Sequence, residues 1–321
     1  MTPVIVPKIK DDILATLTYF DAFKYPLTQK EIFLFLPNAY SKEELQLGLC
    51  ELTYAKTIFK LREYYSLRNN ITLISRRMEG YSKAIKLLKT ADKVARILSW
   101  FPYVRGVAVS GSLSKYFADD NSDIDFFIIT ATNRLWIARS FTHLLKKISF
   151  LIKKQHFFCM NYYIDECRSE IIEKNIFTAT EVVTLMPLKG AIAFEDFYRV
   201  NKWTKNFLPN HFMRISSATE IKTNVIKELI ELLLNNRLGN VLDNFLMHIT
   251  AKRWAAKTRA CKLNGHGRVM CMVADKHYSK PDPSGLQIKI VENYKKKSAE
   301  IINANRTTAA PPGNNVMLNN K

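Results

Sequence analysis

The stretch GSLSKYFADDNSDIDFFII, residues 111–129, decides how this chain is interpreted. It opens with a Gly-Ser pair, continues through a polar loop, and ends with two acids, one residue apart, at the head of an apolar run. Side chains alternate between the two faces of a strand, so Asp123 and Asp125 are expected on one face. Two carboxylates that close repel each other unless a cation lies between them, and hard oxygen ligands favour Mg²⁺ or Mn²⁺.

The residues before the acids are suited to binding a phosphate. Residues 107–109, VAV, predict a strand that leads into Gly111 and Ser112. Glycine has no Cβ, so the backbone can approach a phosphate closely, while N–H groups and a hydroxyl bind its oxygens. A helix beginning at Leu113 would add a favourable dipole. Lys115 flanks this cradle and either reaches a phosphate or is an ordinary solvated lysine.

A Gly-Ser pair, a spacer of about ten residues and an Asp-x-Asp at the head of an apolar strand resemble the signature of the polymerase β-like nucleotidyltransferase superfamily. The matching residues are Gly111, Ser112, Asp123 and Asp125, and the strand-helix-strand order around them extends the likeness over residues 100–190. The resemblance implies a mixed-sheet α+β domain. It also implies an NTP substrate held by Mg²⁺ or Mn²⁺, whose α-phosphorus is attacked by an acceptor hydroxyl while pyrophosphate leaves.

The resemblance further implies a third carboxylate on a neighbouring strand, which holds the metal or acts as the base. Residues 156–166, HFFCMNYYIDE, are the candidate strand, and Asp165 is the one acid on its more polar face. Asp165 is therefore predicted as the third metal ligand and the third catalytic carboxylate. Glu166 and Glu170 are alternatives if the strand ends early. Asn161 is the remaining alternative, and a neutral amide there cannot act as a base, which would leave a weak or inactive site.

Residues 1–75 predict a small separate domain. Its helices are indicated by apolar spacing, by Thr28 as an N-cap, and by Ser41 with Glu44 as a capping box. A pair of short strands is predicted around a charged turn at Arg62 and Glu63. Three helices followed by such a ribbon resemble a winged helix-turn-helix domain, which implies binding of DNA or of a partner. The third helix mixes acids with its lysines, which is not the basic face that DNA contact requires.

Several later segments carry further predictions. Residues 135–154, apolar and basic, are interpreted as the helix that crosses between two strands of the sheet, rather than as a membrane-surface helix. Residues 175–190 predict a helix ended by Pro187 and Gly190. Lys280 lies in a Pro-rich stretch and is either a phosphate clamp or part of a surface turn. The predicted organisation is a winged-helix-like domain at 1–75, a linker helix at 76–100, a nucleotidyltransferase domain at 101–194, a helical C-terminal region at 195–302 and a disordered tail at 303–321.

The composition restricts partners and location. The 321 residues carry a net charge of +19, which favours anionic partners: nucleotides, nucleic acid or an anionic membrane surface. The five cysteines show no CxxC spacing, so reduced thiols are expected rather than a zinc site or disulfides. The chain has no apolar run of about 18 residues and no signal-peptide pattern at its start, which predicts a cytoplasmic protein without a membrane span.

Two functions remain open from the sequence. The first is a metal-dependent nucleotidyltransferase that moves an NMP from an NTP to an unidentified acceptor hydroxyl on a small molecule, a protein or an RNA. The second is a catalytically degenerate module that senses nucleotides or binds nucleic acid. A third carboxylate beside Asp123 and Asp125 would favour transfer, whereas Asn161 in that place would favour binding without transfer.

Overall fold

The computed structural model describes residues 6–120, 122–151, 157–212, 218–261, 263, 272–281 and 286–309. The chain divides into two compact units, one of residues 1–74 with 289–321 and the other of residues 75–288. The described residues form ten α-helices, a three-stranded sheet and a six-stranded mixed sheet. The α+β class predicted from the sequence is therefore confirmed.

The smaller unit begins with three helices and three short strands. Their bounds are α1 (Val6–Asp21), β1 (Leu27–Thr28), α2 (Gln29–Phe35), α3 (Lys42–Tyr54), β2 (Phe59–Leu61) and β3 (Tyr64–Ser66). Thr28 and Ser41 cap α2 and α3, each in a capping box completed by a glutamate three residues on. Both caps are where the sequence predicted them. The strands lie antiparallel in the order β1-β3-β2, and Arg62 lies in the turn between β2 and β3.

The last helix, α10 (Leu286–Ala309), belongs to the smaller unit from Lys289 onward. Tyr294 packs edge-on against Tyr19 with ring centroids 5.7 Å apart. Arg306 forms an ion pair with Asp11. These contacts correct two predicted boundaries. Helix α10 belongs to the N-terminal unit from Lys289 onward rather than to a C-terminal region, and residues 303–309 are helical rather than part of a disordered tail. The rest of the predicted tail, 310–321, lies outside the described residues.

The larger unit holds the six-stranded sheet. Its elements are α4 (Thr72–Ser99, from Ser75 on), β4 (Val104–Val109), β5 (Asp125–Thr130), α5 (Leu135–Leu151), β6 (Cys159–Asp165), α6 (Ile176–Thr184), β7 (Met186–Lys189), α7 (Ala191–Val200), α8 (Val225–Leu234), α9 (Arg237–Arg259), β8 (Met272–Ala274) and β9 (Tyr278–Pro281). The strand order is β7-β4-β5-β6-β9-β8, and β5 and β6 run parallel. Parallel neighbours need a crossover, and α5 supplies it as the sequence predicted.

The two faces of the sheet have separate cores. On one face, Phe126, Ile128 and Tyr163 pack with α4 and α5. On the other, Phe127 and Ile129 pack with α6 and α7. All five side chains are at most 4% exposed. Because side chains alternate along β5, its first residue, Asp125, shares a face with Phe127 and Ile129. The pairing of β5 with β6 then determines which residues lie beside Asp125 in the candidate site.

Two predictions about this unit need correction or completion. The helix predicted over residues 175–190 ends at Thr184, and Pro187 instead lies in β7, an edge strand where a missing N–H is tolerated. Strands β8 and β9 were not predicted. The helix-rich character of residues 195–260 is seen in α7, α8 and α9. None of the described helices is long and apolar enough to cross a membrane.

Candidate functional site

The Gly-Ser turn joins β4 to a short 3-10 helix, Leu113–Lys115. Ser110 fixes the turn to the head of β5, because its backbone N–H donates to the Asp125 carbonyl at 2.8 Å. Gly111 follows with φ +67°, in the left-handed region that favours glycine. The three-residue helix is too short for the dipole that the sequence suggested.

Gly111 lies directly against the carboxylate of Asp125. A Cβ placed on Gly111 would be 2.9 Å from Asp125 Oδ2. Glycine is therefore required at this position for two reasons: its backbone angle, and the close approach of the turn to the Asp125 carboxylate. The backbone of the turn and the Asp125 carboxylate are therefore neighbours. The roles of Gly111 and Ser112 in binding a phosphate and of Asp125 in binding a cation stay predictions.

Asp123 and Asp125 lie on either side of Ile124, whose side chain is fully buried. Asp125 begins β5, and Asp123 lies just before the strand. Burial, with added repulsion from Asp123 and Glu181, raises the pKa of Asp125 to about 6 from its ordinary 3.8. The site thus concentrates negative charge in a partly buried place, which is the electrostatic setting of a cation site.

Asn161 is the polar group beside Asp125 on the neighbouring strand. Phe126 pairs with Met160 while Phe127 pairs with Tyr162, so Asn161 is the extra residue of a β-bulge. Its Nδ2 donates a hydrogen bond to Asp125 Oδ1. The side chain that contacts Asp125 from the neighbouring strand is therefore an amide and not a carboxylate.

Asp165 is not part of this site, which corrects its prediction as the third acid. It pairs with Thr130 at the far end of β5, about 16 Å from Asp125 at the usual strand rise of ~3.3 Å per residue. Its fully buried carboxylate accepts hydrogen bonds from the backbone of Asn133 at 3.0 Å and from His277 Nδ1 at 2.9 Å. The bulge at Asn161 interrupts the alternation of side chains along β6. The even spacing between Asn161 and Asp165 therefore does not place their side chains on the same face of the sheet.

The alternative acids also lie at the far end. Glu166 begins the 3-10 helix Glu166–Arg168 that directly follows Asp165. Glu170 pairs with Lys174 at 2.6 Å. Both follow the end of β6 that is distant from Asp125, so neither supplies the third carboxylate.

Glu181, on α6, is a site residue that sequence reasoning missed. Lys115 Nζ donates to the Gly111 carbonyl at 3.0 Å and to Glu181 Oε1 at 2.8 Å, which links the turn to α6. Lys115 is therefore held in an ion pair at the predicted cradle rather than being solvated. A signal for Glu181 was present in the sequence, because it is the one charged residue of α6, IFTATEVVT.

Lys280, the other predicted phosphate contact, lies in β9 and forms an ion pair with Glu173. Its ammonium is also 5.5 Å from the centre of the Tyr278 ring. Residues 282–285 of the Pro-rich stretch lie outside the described residues. The contacts of Lys280 are thus those of a structural ion pair.

The side-chain oxygens at this site suit a cation that binds together with the phosphates of a ligand. Across the described chain, no group of three or more His, Cys, Asp and Glu side chains could hold a metal ion by itself. Mg²⁺ is commonly bound by one or two carboxylates together with substrate phosphates rather than in an all-protein cage. Asp123 and Asp125 meet that smaller requirement, with the amide of Asn161 beside them. No family model, curated protein or solved structure matches this chain.

Proposed function

We propose that this chain binds a nucleoside triphosphate together with a divalent cation, in a site of the nucleotidyltransferase type. One observation carries the proposal: the left-handed Gly111 turn lies against the Asp125 carboxylate so closely that a Cβ would be 2.9 Å from Oδ2. A phosphate on this turn and a cation on the acid would be neighbours. The cation would compensate the buried charge of Asp125, whose pKa is raised mainly by burial and further by repulsion from Asp123 and Glu181.

Asn161 favours binding without transfer as the principal function. In the superfamily that the motif resembles, a third carboxylate holds the metal near the attacking hydroxyl or removes its proton. An amide can offer a neutral oxygen, but it cannot accept that proton. The chain is accordingly proposed to sense or hold the nucleotide, with Mg²⁺ or Mn²⁺ as the cation and Asp123 and Asp125 as its ligands.

Transfer of an NMP to an acceptor hydroxyl is the second candidate. The observation that favours it is Glu181, a carboxylate joined through Lys115 to the Gly111 carbonyl. Release of that ion pair would leave a third acid near the cradle. The acceptor would then be a small molecule, a protein or an RNA, and the net charge of +19 is compatible with the last of these.

One experiment separates the two candidates. The purified protein is incubated with each α-labelled nucleoside triphosphate and Mg²⁺ or Mn²⁺, with and without cell lysate as a source of acceptor. Saturable, cation-dependent binding without transfer of label, lost in Asp125→Asn, supports the first. Transfer of label that is lost in both Asp125→Asn and Glu181→Gln supports the second. Absence of both binding and transfer rejects the site.

Asn161→Asp sharpens the distinction, because it places a third carboxylate beside Asp125. If the wild-type protein binds the nucleotide without transfer, Asn161→Asp is expected to raise the affinity for Mn²⁺ in the absence of nucleotide. The variant is also expected to acquire measurable transfer of the label. Asn235→Asp is the matched control, since it makes the same change at the exposed residue after α8. Equal behaviour of both variants would remove Asn161 from the argument.

The smaller unit is proposed to bind a partner rather than DNA. On α3, the residues Glu43 and Glu51 are exposed, and Glu51 forms an ion pair with Lys10 at 3.0 Å. A helix surface without a basic patch offers a phosphate backbone little attraction. Measured binding of the full chain to duplex DNA, abolished by substitutions confined to α3, would overturn this assignment.

A further inference from the structure

An ion pair joins the Gly-Ser turn to α6. Lys115 ends the 3-10 helix Leu113–Lys115 that follows the turn, and Glu181 lies on α6. Lys115 Nζ and Glu181 Oε1 are 2.8 Å apart, and the two side chains are 16% and 32% exposed. Because both charged groups are partly open to solvent, a ligand that binds at the turn can reach them.

Glu181 takes the position of an anionic ligand of Lys115. The ammonium group of a lysine has three N–H donors. One donates to the Gly111 carbonyl at 3.0 Å and another to Glu181 Oε1, so the lysine is held against the turn that is proposed to bind phosphates. Carboxylates and phosphates both form short charge-assisted hydrogen bonds with an ammonium group. A phosphate on the turn would therefore be an equivalent partner for Lys115.

The Gly111 carbonyl does not depend on Lys115 alone. Ser114 Oγ also donates to it, at 2.9 Å, so this acceptor keeps a donor when the lysine moves to a ligand. Ion pairs that solvent reaches contribute at most about 1 kcal/mol. Exchange of Glu181 for a triphosphate, which is a more highly charged anion, therefore costs little and strengthens the charge-assisted hydrogen bonds of Lys115.

The charges around Asp125 also set Glu181 against a nucleotide. Glu181 lies close enough to Asp125 to repel its carboxylate. A nucleoside triphosphate with one Mg²⁺ still has a net negative charge, so Glu181 repels it as well. A divalent cation alone is instead attracted by the same carboxylate. Removal of the charge of Glu181 should therefore shift the affinities for these two ligands in opposite directions.

We propose that Glu181 competes with nucleotide phosphates for Lys115, so that a nucleotide binds as this ion pair opens. The inference rests on the proposed binding of a nucleoside triphosphate, and it assigns a phosphate ligand, Lys115, and a competing carboxylate to that site. Glu181 thereby sets the nucleotide concentration at which the site fills. Lys115 keeps an anionic partner in both states, so its charge is compensated with and without the nucleotide.

The test measures dissociation constants of the full chain by isothermal titration, with each Mg²⁺–nucleoside triphosphate complex and with Mn²⁺ alone. Glu181→Gln is expected to bind the nucleotide complex about fivefold more tightly, which corresponds to about 1 kcal/mol. The same variant is expected to bind Mn²⁺ alone more weakly than the wild type. Lys115→Met is expected to weaken nucleotide binding at least about tenfold, because it removes a charged hydrogen-bond donor to the phosphates.

Two further variants separate competition from a general change in charge. Glu170→Gln removes the same charge from another ion pair, with Lys174 at 2.6 Å, and should leave both affinities unchanged. In the double variant Lys115→Met/Glu181→Gln, most of the gain from Glu181→Gln should disappear, because the competition acts through Lys115. Circular dichroism confirms that each variant is folded.

The outcomes distinguish failure of this inference from failure of the proposed function. If the wild type binds the nucleotide and Glu181→Gln binds it no more tightly, Glu181 does not compete and only this inference is wrong. If the wild type transfers label and Glu181→Gln does not, Glu181 is a catalytic carboxylate instead. If neither protein binds a nucleotide, the proposed site is rejected together with the inference. Binding by Glu181→Gln alone would support the competition most strongly.

Discussion

Asp125 is the residue at which function and stability oppose each other. Its pKa is raised to about 6, so folding favours the protonated carboxyl. The stability that this gives is present below the ordinary pKa of 3.8 and is lost as the pH rises through about 6. At neutral pH the folded protein therefore retains a buried charge that a bound cation would compensate.

Asp125→Asn should stabilise the fold and abolish nucleotide binding. At neutral pH, its free energy of unfolding is expected to exceed that of the wild type by about 1–2 kcal/mol, allowing for partial solvent screening. The gain should vanish in acid, where the wild-type carboxyl is itself protonated. Chemical denaturation at both pH values measures the difference. A destabilised variant at neutral pH would show that the carboxylate is already compensated within the chain.

Gly111→Ala tests the turn itself. An alanine at this position would have to adopt φ +67°, a backbone conformation that costs about 1–2 kcal/mol. Its methyl group would also lie 2.9 Å from Asp125 Oδ2. Binding of the Mg²⁺–nucleotide complex is expected to weaken at least about tenfold, a loss of roughly 1.4 kcal/mol. Isothermal titration at a temperature where the variant is fully folded measures it. Unchanged affinity would place the phosphates elsewhere.

The part of this site carried by one continuous motif could be predicted from the sequence, and the part supplied by β6 could not. Gly111 lies close to Asp125 because β4 and β5 are adjacent antiparallel strands joined by one loop. Asn161 reaches Asp125 only because β6 pairs with β5 in one register and carries a bulge. Neither feature is visible in a single strand, so counting every second residue led to Asp165 instead.

At the scale of elements, α5 depends on a cap supplied by another helix. Asp243 of α9 accepts hydrogen bonds from the first N–H groups of α5, at Trp136 and Ile137. This is the role of an N-cap side chain, performed here from more than 100 residues away in the chain. Burial raises the pKa of Asp243 to about 6.

Two substitutions at Asp243 should therefore have different effects on stability. Asp243→Ala removes the acceptor and is expected to lower the free energy of unfolding by about 0.5–2 kcal/mol. Asp243→Asn keeps an oxygen acceptor without the buried charge, so it should equal or exceed the wild type at neutral pH. The advantage of asparagine should disappear below the ordinary pKa of the acid, where the wild type is uncharged. Equal loss in both variants would assign the stability to the charge.

Element prediction succeeded where signals are local. The N-cap at Thr28, the capping box at Ser41 and the apolar alternation of β5 each concern a few neighbouring residues. Prediction missed β7, because Pro187 is ordinarily a sign that regular structure has ended. It missed β1 as well, since its two residues form a strand only by pairing with β3.

At the scale of the whole molecule, the chain returns to its starting unit. The pairing of α10 with the N-terminal helices rests on Tyr19 with Tyr294, and on Thr57, whose hydroxyl donates to Asn305 Oδ1 at 3.1 Å. These partners are more than 240 residues apart. No periodicity or capping signal in the sequence indicates a contact over such a distance. The sequence therefore predicted a boundary at residue 302 and a disordered tail after it, where the structure has the continuous helix α10.

Removal of α10 should destabilise the smaller unit. Truncation after Ile288 deletes the ring contact, the hydroxyl hydrogen bond and the Asp11–Arg306 ion pair. We expect the free energy of unfolding of that unit to fall by about 2 kcal/mol or more, mostly through lost burial of Tyr294. Truncation after Ala309 is the matched control, because it keeps every contact described for α10. Proteolysis under native conditions, followed by mass spectrometry of the fragments, reports the stability of residues 6–74. Equal resistance of both truncations would mean that the three N-terminal helices and their sheet are stable without the returning helix.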